Sequence, residues 1–458
     1  MHDDEPVMHL GDYVALQRGN TYKSALLGKP GPVLLGLASI ARNGGFRSDN
    51  LKTYGGSSDE RMLLKPGDIY VSLKDVTQSA DLLGAIARVP NFIEVGRVTQ
   101  DTVKLNFTSD AAPKDYIYWL LRTPQYRAYC RAHATGTTNL GLPREDFLSF
   151  PIPGLNKARR ELVTLLQAFD DKIELNRRMN ETLEAMARVI FKDWFVDFGP
   201  TRAKAEGRVP YLASDIWELF PDALDDDDKP EGWETQSVID QAEWVNGAAY
   251  KNMHFSEAPD ALPVVKIAEL KAGVTSNTKR TNTALGNKYR IVDGEVLFSW
   301  SGNPDTSIDA FIWTGGDAWL NQHIFAVRNN GGRSPAFLYT MLKWLKPDFA
   351  EIARNKQTTG LGHVTKQDLK RMQIYVGSAS LLSKFEDVVG PIDSRLRLNL
   401  FANMGLAQTR DLLLPKLMSG EIRIREADKA WRLWYERVGR TQRQVISCRW
   451  HLIRLDHC

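Results

Sequence analysis

Short polar-basic loops recur along this chain, built from Gly, Ser, Thr, Asn, Arg and Lys. In the first half, loops at 42–47, 72–75 and 135–139 carry Arg42, Arg47, Lys74, Thr135, Thr137 and Asn139. In the second half, similar loops carry Lys251, Lys279, Arg280, Ser301, Asn303, Lys356, Gln357 and Thr359. Arg and Lys suit guanine edges and phosphates, and Asn and Gln suit adenine. Hydroxyls and glycine N–H groups suit phosphate oxygens. Any one such loop is more simply a solvated turn. Their recurrence at corresponding places in both halves favours a nucleic-acid-binding surface.

Patterns for catalysis are missing from the sequence. An enzyme that modifies a flipped base needs a cofactor loop and a short Asn/Asp-Pro-Pro-aromatic turn. Here Asn303-Pro304 is followed by Asp305. No G-x-x-x-x-G-K-[ST] phosphate loop occurs. Pro221-Asp222 with Asp227-Asp228-Lys229 imitates a nuclease acid pair, but the pieces are too close together and lie in a low-complexity stretch. The eight histidines have no metal-ligand spacing. His323 reads as a satisfied structural histidine. His363, in a glycine-rich loop, reads equally as a turn residue or a nucleic-acid contact. The expected sites therefore bind, with no catalytic residue and no metal.

Bulk composition fits this without announcing it. The chain has 458 residues, 59 basic and 56 acidic, for a net charge of +3. Any basic surface must therefore be local. At 43% hydrophobic and 25% charged the composition is that of a globular protein too long for one core. Cys130, Cys448 and Cys458 cannot form a fully paired framework and show no metal-ligand spacing. The N-terminus is acidic and polar, unlike a secretory signal, and no apolar run is long enough for a membrane helix. A cytoplasmic, DNA-associated protein is expected, without membrane contact.

The loops must be held by something, and the chain offers two blocks and two helices in alternation. The first block holds an apolar run at 33–40 with the length of a buried strand, then a Pro66-Gly67 turn before a second strand. A helix follows around Trp119, with Asp115 as its cap and Pro124 as its stop. From residue 156 the pattern changes. Leu162, Leu166, Phe169, Ile173, Asn176, Asn180, Leu183, Ala187 and Ile190 recur at steps of three and four, the seam of a coiled coil over roughly four heptads. About 40 such residues reach ~60 Å. Gly199-Pro200 is expected to end this helix, and the acidic run 225–228 to be a solvated, flexible face.

The second half then restarts. Runs at 262–270 and 293–299, a helix around Trp344 and a loop at 356–362 keep the order of the first half. The second seam runs Leu382, Phe385, Val389, Ile392, Leu396, Asn399, Asn403, Leu406, Leu413 and Leu417. Gly390-Pro391 is expected to kink or restart it. Residues 169–183 and 392–406 are twins, with Asn176 matching Asn399 and Asn180 matching Asn403. The chain is thus two repeats of about 220 residues. The scaffold matches more closely than the blocks do, as a two-module sequence reader would require. The segments are block one 1–155, spacer helix 156–200, linker 201–230, block two 231–377, second helix 378–420 and tail 421–458.

The chain resembles the specificity subunit of type I restriction–modification systems. The match rests on residues 169–183, Lys192-Asp-Trp-Phe195, Pro230-Glu-Gly-Trp233, Lys356-Gln-Thr-Thr-Gly-Leu-Gly-His363 and residues 412–422. The resemblance implies an α+β fold with two α/β target-recognition domains in tandem repeat. Two long helices separate them and form an antiparallel coiled coil. It further implies that each domain reads half of a split site in double-stranded DNA. The helices would set the gap and dock two methyltransferase subunits, with motor-nuclease subunits completing the complex. S-adenosylmethionine, ATP and Mg would sit on those partners and none on this chain. The tail beyond Ala430 departs from the family pattern and is expected to be poorly ordered or loosely docked.

Seam asparagines are costly in an apolar interface but can fix register. In an antiparallel pair the asparagines of the two copies could face each other near the midpoint. Lys172, Arg177, Arg178, Arg395 and Arg397 read first as a solvated face. A fused endonuclease with an unfamiliar active site is the rival reading, and a coiled-coil adaptor that binds only protein is a third.

Overall fold

The structure, a computed structural model, describes residues 8–420 apart from 49, 50, 110, 112, 138, 358 and 359. Tail residues 421–458 and Thr359 thus lie outside the described residues. The chain divides into two compact units, Met1–Ile173 with Gly405–Cys458, and Glu174–Met404. Each unit is one block built on segments of both long helices.

Both blocks use the same strand order. In the first, Val14–Arg18, Thr102–Phe107, Ile69–Ser72 and Ile86–Arg88 form an antiparallel sheet in that order. Beside it, Val33–Leu35 runs parallel to Gly96–Val98. In the second, Glu243–Asn246, Ile324–Arg328, Val296–Ser299 and Asp309–Ile312 repeat the antiparallel sheet. Leu262–Val265 runs parallel to Ala318–Leu320. Each block is closed by its own ends: Met8–His9 pairs with Pro151–Ile152, and Glu234–Ser237 with Gln373–Val376. Such pairing brings entry and exit of each block to one place, where the long helices attach.

Several local expectations are corrected. The run at 33–40 is a strand only to Leu35, then a single 3-10 turn, Leu37–Ser39. The Thr102 hydroxyl donates to the Leu35 carbonyl at 2.6 Å where the ladder would otherwise continue. Asp115 is not a cap: the helix Lys114–Leu120 starts one residue earlier, behind Pro113. Pro124 stops nothing. It opens the helix Pro124–Ala132, capped by the Thr123 hydroxyl, because proline fits a first helical turn whose N–H has no partner.

The first long helix, Lys157–Phe195, stops before Gly199-Pro200, which instead opens the helix Gly199–Ala205 behind a left-handed Phe198 at φ 55°. Residues 201–230 are no free linker. They carry a further helix, Ser214–Trp217, and bury Thr201, Ala203 and Phe220 in the second unit. The acidic run turns back on itself, with Asp225 bound to Lys229. The second long helix, Ala379–Leu413, runs unbroken through Pro391. Proline removes one helical hydrogen bond, yet Phe385, Val389 and Leu396 on either side are buried in the core and hold the turn in place.

Each unit fastens its block to the helices differently. In the second, aromatic side chains do it. Phe195 meets Phe385 at 5.2 Å and Phe337 at 5.6 Å between ring centroids, and Trp194 meets Phe220 at 5.3 Å. Each such pair contributes about 0.5–1.5 kcal/mol beyond its buried area. In the first, a charge network does it. Asp170 on the first long helix accepts from Arg122 of the block and from Arg410 of the second long helix, both at 2.7 Å. The Arg122 guanidinium also lies over the Trp119 ring, 4.5 Å from its centroid. Burial pushes the Asp170 carboxyl up, but the two guanidinium ions outweigh it and hold it below the usual carboxylate range.

Replacing Asp170 with Asn leaves Arg122 buried without its carboxylate, so the first unit should lose on the order of 3 kcal/mol. The depressed pKa means this contribution is complete above the usual carboxylate range and lost as pH falls through the lowered value. Urea unfolding of wild type and Asp170→Asn at neutral and acidic pH should therefore converge in acid. A gap that stays constant with pH would refute the ion-pair account.

Candidate nucleic-acid interface

The spacer seam forms as its periodicity requires. Leu162, Leu166 and Phe169 are buried in the first unit against Leu406, Leu413 and Leu417. In the second unit Ala187, Phe385, Val389 and Leu396 share one core. First-helix residues of rising number thus meet second-helix residues of falling number, an antiparallel pairing within each unit. Asn176 Nδ2 donates to Asn403 Oδ1 at 2.8 Å, and Asn399 Nδ2 donates to Asn180 Oδ1 at 2.8 Å. Asn180 also donates to the Leu396 carbonyl at 3.2 Å. The pairs cross the repeat: each asparagine bonds the twin of its neighbour, as two-fold related copies would. Asn176, Asn180 and Asn399 are all buried.

Charged positions on the helices divide. Lys172, Arg178 and Arg395 are exposed. Arg177 binds Glu174 and Glu181. Arg397 is not solvated: it binds Asp393 at 2.5 Å and donates to the Gly294 carbonyl, tying the helix to the second block.

In the first block, pairing joins two of the three polar loops. Lys74–Asp75 pairs with Leu140–Gly141, and the Thr135 hydroxyl donates to the Gly141 carbonyl at 3.0 Å. Lys74, Thr135, Thr137 and Asn139 are exposed there. Lys74 is 3.5 Å from Asp101, on the turn before Thr102. The third loop packs alongside: Arg42 lies 3.7 Å from Asp81, and the Gly45 N–H donates to the Ile86 carbonyl. Gly44, at φ +106°, could not carry a Cβ without crowding the Arg122 side chain and the Ile86 carbonyl. This loop therefore rests on the arginine that binds Asp170. Arg47 is exposed, and its N–H donates to the Ser39 carbonyl.

The second block repeats the joint. Ser301–Gly302 pairs with Gly362–His363. A Cβ on Gly362 would strike the Ala353 carbonyl, so only glycine lets these strands approach the helix. Several sequence candidates are corrected here. Ser301 is buried, because its strand pairing turns it inward. The Asn303 side-chain oxygen accepts from the Asp305 and Thr306 N–H groups, so it shapes the turn. Lys356 is committed to the buried Asp368, whose carboxyl lies below its ordinary range although burial pushes it up. Gln357 is exposed. Lys251, Lys279 and Arg280 are exposed, and the Thr281 hydroxyl donates to the His254 carbonyl between their two loops. Arg280 donates to the Ala261 carbonyl at 3.0 Å.

Sequence reasoning passed over the loop 321–323, where His323 was taken as satisfied. Its Nδ1 is buried without a partner, as is that of His363. Both rings flank Trp300. Burial, then His363, lowers the His323 pKa. The signal available was positional: 321–323 stands in the repeat where 99–101 stands in the first block. Among the described residues, no group of three or more His, Cys, Asp or Glu is placed to hold a metal ion. No helix among them is long and apolar enough to cross a membrane.

Residues 230–378 match the family model for the Type I restriction modification DNA specificity domain. That match spans the second block. The first block repeats the strand order of that specificity domain. The chain is 26% identical over 332 residues to the Type I restriction enzyme MjaIX specificity subunit of Methanocaldococcus jannaschii, covering 69% of this chain and 71% of the relative. It is 25% identical over 320 residues to the Type I restriction enzyme HindI specificity subunit of Haemophilus influenzae, covering 60% and 69%. A solved S subunit from M. genitalium overlays with a TM-score of 0.49 at 14% identity, over 91% of this chain and 98% of the other. The family model contains two of the motifs on which the resemblance rests, residues 230–233 and 356–363.

The amide pairs make a stability prediction about the specificity-domain unit. Asn399→Leu alone strands the buried Asn180 oxygen and should cost about 1–3 kcal/mol in urea unfolding. Asn180→Leu with Asn399→Leu together should recover most of that loss. A double variant as weak as the sum of the single variants would show that the amides do not act as a pair.

Proposed function

We propose that this chain is the DNA sequence-specificity subunit of a type I restriction–modification complex, each block reading one half of a bipartite site in double-stranded DNA. The observation that carries this is the recurrence of the specificity-domain strand order in the first block, with both blocks built on the same pair of helices. Phosphate contacts position such a module and base-edge contacts specify the sequence. The long helix of 39 residues extends ~58 Å at ~1.5 Å per residue, enough to set half-sites one DNA turn apart, ~34 Å.

Methyl transfer and cleavage belong to partner subunits in this reading, together with S-adenosylmethionine, ATP and Mg. The helices support docking of two copies of one methyltransferase subunit. Leu175 and its repeat twin Leu398 are 52% and 37% exposed, and Val189 and its twin Leu412 are 66% and 63% exposed. Apolar positions left open twice, at matching places, suit the same partner surface used twice. Motor-nuclease subunits join this assembly in the cytoplasm.

Co-purification with the methyltransferase subunit, followed by methylation mapping, should reveal one split motif. Methyl transfer by this chain alone, metal-dependent cleavage by it, or the lack of any split motif would overturn the proposal. Inserting one heptad after Leu183 should change the gap in the motif and leave both half-sites as they were. Altered half-sites would refute the spacer role.

A further inference from the structure

Three strands of the second block converge on Trp300. Its N–H donates to the His323 carbonyl at 3.3 Å, and its carbonyl accepts from Val364 at 2.8 Å. Ser301 pairs with His363. The Trp300 ring lies 5.5 Å from the His323 ring and 5.8 Å from the His363 ring, centroid to centroid. Its indole N–H donates to the Asn246 side chain at 2.9 Å, which fixes the ring's orientation. Gln322 reaches His323 Nε2 at 3.2 Å. Trp300, Gln322, His323 and His363 are all half-buried. A site on paired strands is held more firmly than one on a free loop.

Trp300 packs against the core of the block, but the two imidazoles bring to that contact polar atoms that an apolar packing would not. Both imidazoles keep a nitrogen without a partner, hydrogen-bonding capacity that the protein leaves unused and that a buried site penalises. The matching place in the first block is chemically different. There the turn before Thr102 brings Asp101 to Lys74 at 3.5 Å, and a buried Leu73 stands where Trp300 stands. The corresponding frame is the same in both, since Asn20 bridges Thr99 as Ala248 bridges Asn321. One scaffold position thus carries an ion pair in one block and an aromatic–imidazole–amide wall in the other.

We propose that Trp300, Gln322, His323 and His363 form the base-reading cleft of the second block, and take the major-groove edge of a base pair in double-stranded DNA. This rests on the specificity-subunit reading above. The Gln322 amide matches the N6/N7 edge of adenine. An imidazole N–H suits the N7 or O6 acceptors of a purine, and the indole face suits a thymine methyl group. The cleft assigns base readout to residues other than the basic ones that the loops display.

The test uses the complex assembled with its methyltransferase subunit. Gln322→Ala, His323→Ala, His363→Ala and Trp300→Phe are compared with wild type by methylation mapping and by binding to DNA altered in one half-site at a time. Assembly, checked by size-exclusion chromatography, reports that each variant folds. Discrimination within the second half-site should fall by about tenfold or more, while preference at the first stays as in wild type. Unchanged preference at both half-sites in every assembled variant would overturn the inference. So would a uniform loss of affinity across sequences with a smaller salt slope, which marks a phosphate contact. A wild-type complex with no split motif would overturn the specificity-subunit reading itself, a result separate from either of these.

Discussion

An amide buried in an apolar seam must find another amide, and that requirement disciplines the helix pairing in the second unit. Asn176 bonds Asn403 and Asn180 bonds Asn399. Sliding one helix by a turn would keep at most one Asn–Asn pair and set the other two asparagines against seam leucines or isoleucines, stranding their polar atoms. Leucines alone would tolerate several registers. The asparagines give up stability to leave one. The attachment of the second block to these helices, through Arg397 and the Gly294 carbonyl, inherits that register.

The blocks hang on this frame by unlike means. Asp170 gathers Arg122 and Arg410 into a buried network in the first unit. Phe191, Trp194, Phe195 and Phe385 form a continuous aromatic core in the second. The duplicated helices therefore tolerate different junctions. A loop of the first block, through Gly44, leans on the same Arg122 that reaches the helix. Loop and scaffold share a side chain there, so a change at the junction is felt in the loop.

The duplicated strand order explains how one scaffold presents two different surfaces. Loop pairs meet at 74–75 with 140–141 and at 301–302 with 362–363. The backbone pairing is common to both, and the side chains on it are not. Keeping the ladder while varying what stands on it gives the two blocks different surfaces without a second fold.

Periodicity and internal matching by themselves determined the repeat, both long helices and the facing asparagines, because a seam with steps of three and four has one face to bury. The helix boundaries escaped that reading. Pro124 and Pro200 look like stops, yet each opens a helix. Pro391 looks like a break, yet burial of its neighbours carries the helix through. Residues 201–230 read as a linker on polarity, while a few apolar side chains, Phe220 among them, pack into the core. Among the candidate contacts, residue type was legible and direction was not. Ser301 points inward and Lys356 serves Asp368. Strand pairing and the third dimension alone bring Trp300, His323 and His363 together, since contacts between residues so far apart along the chain leave no periodic mark in the sequence.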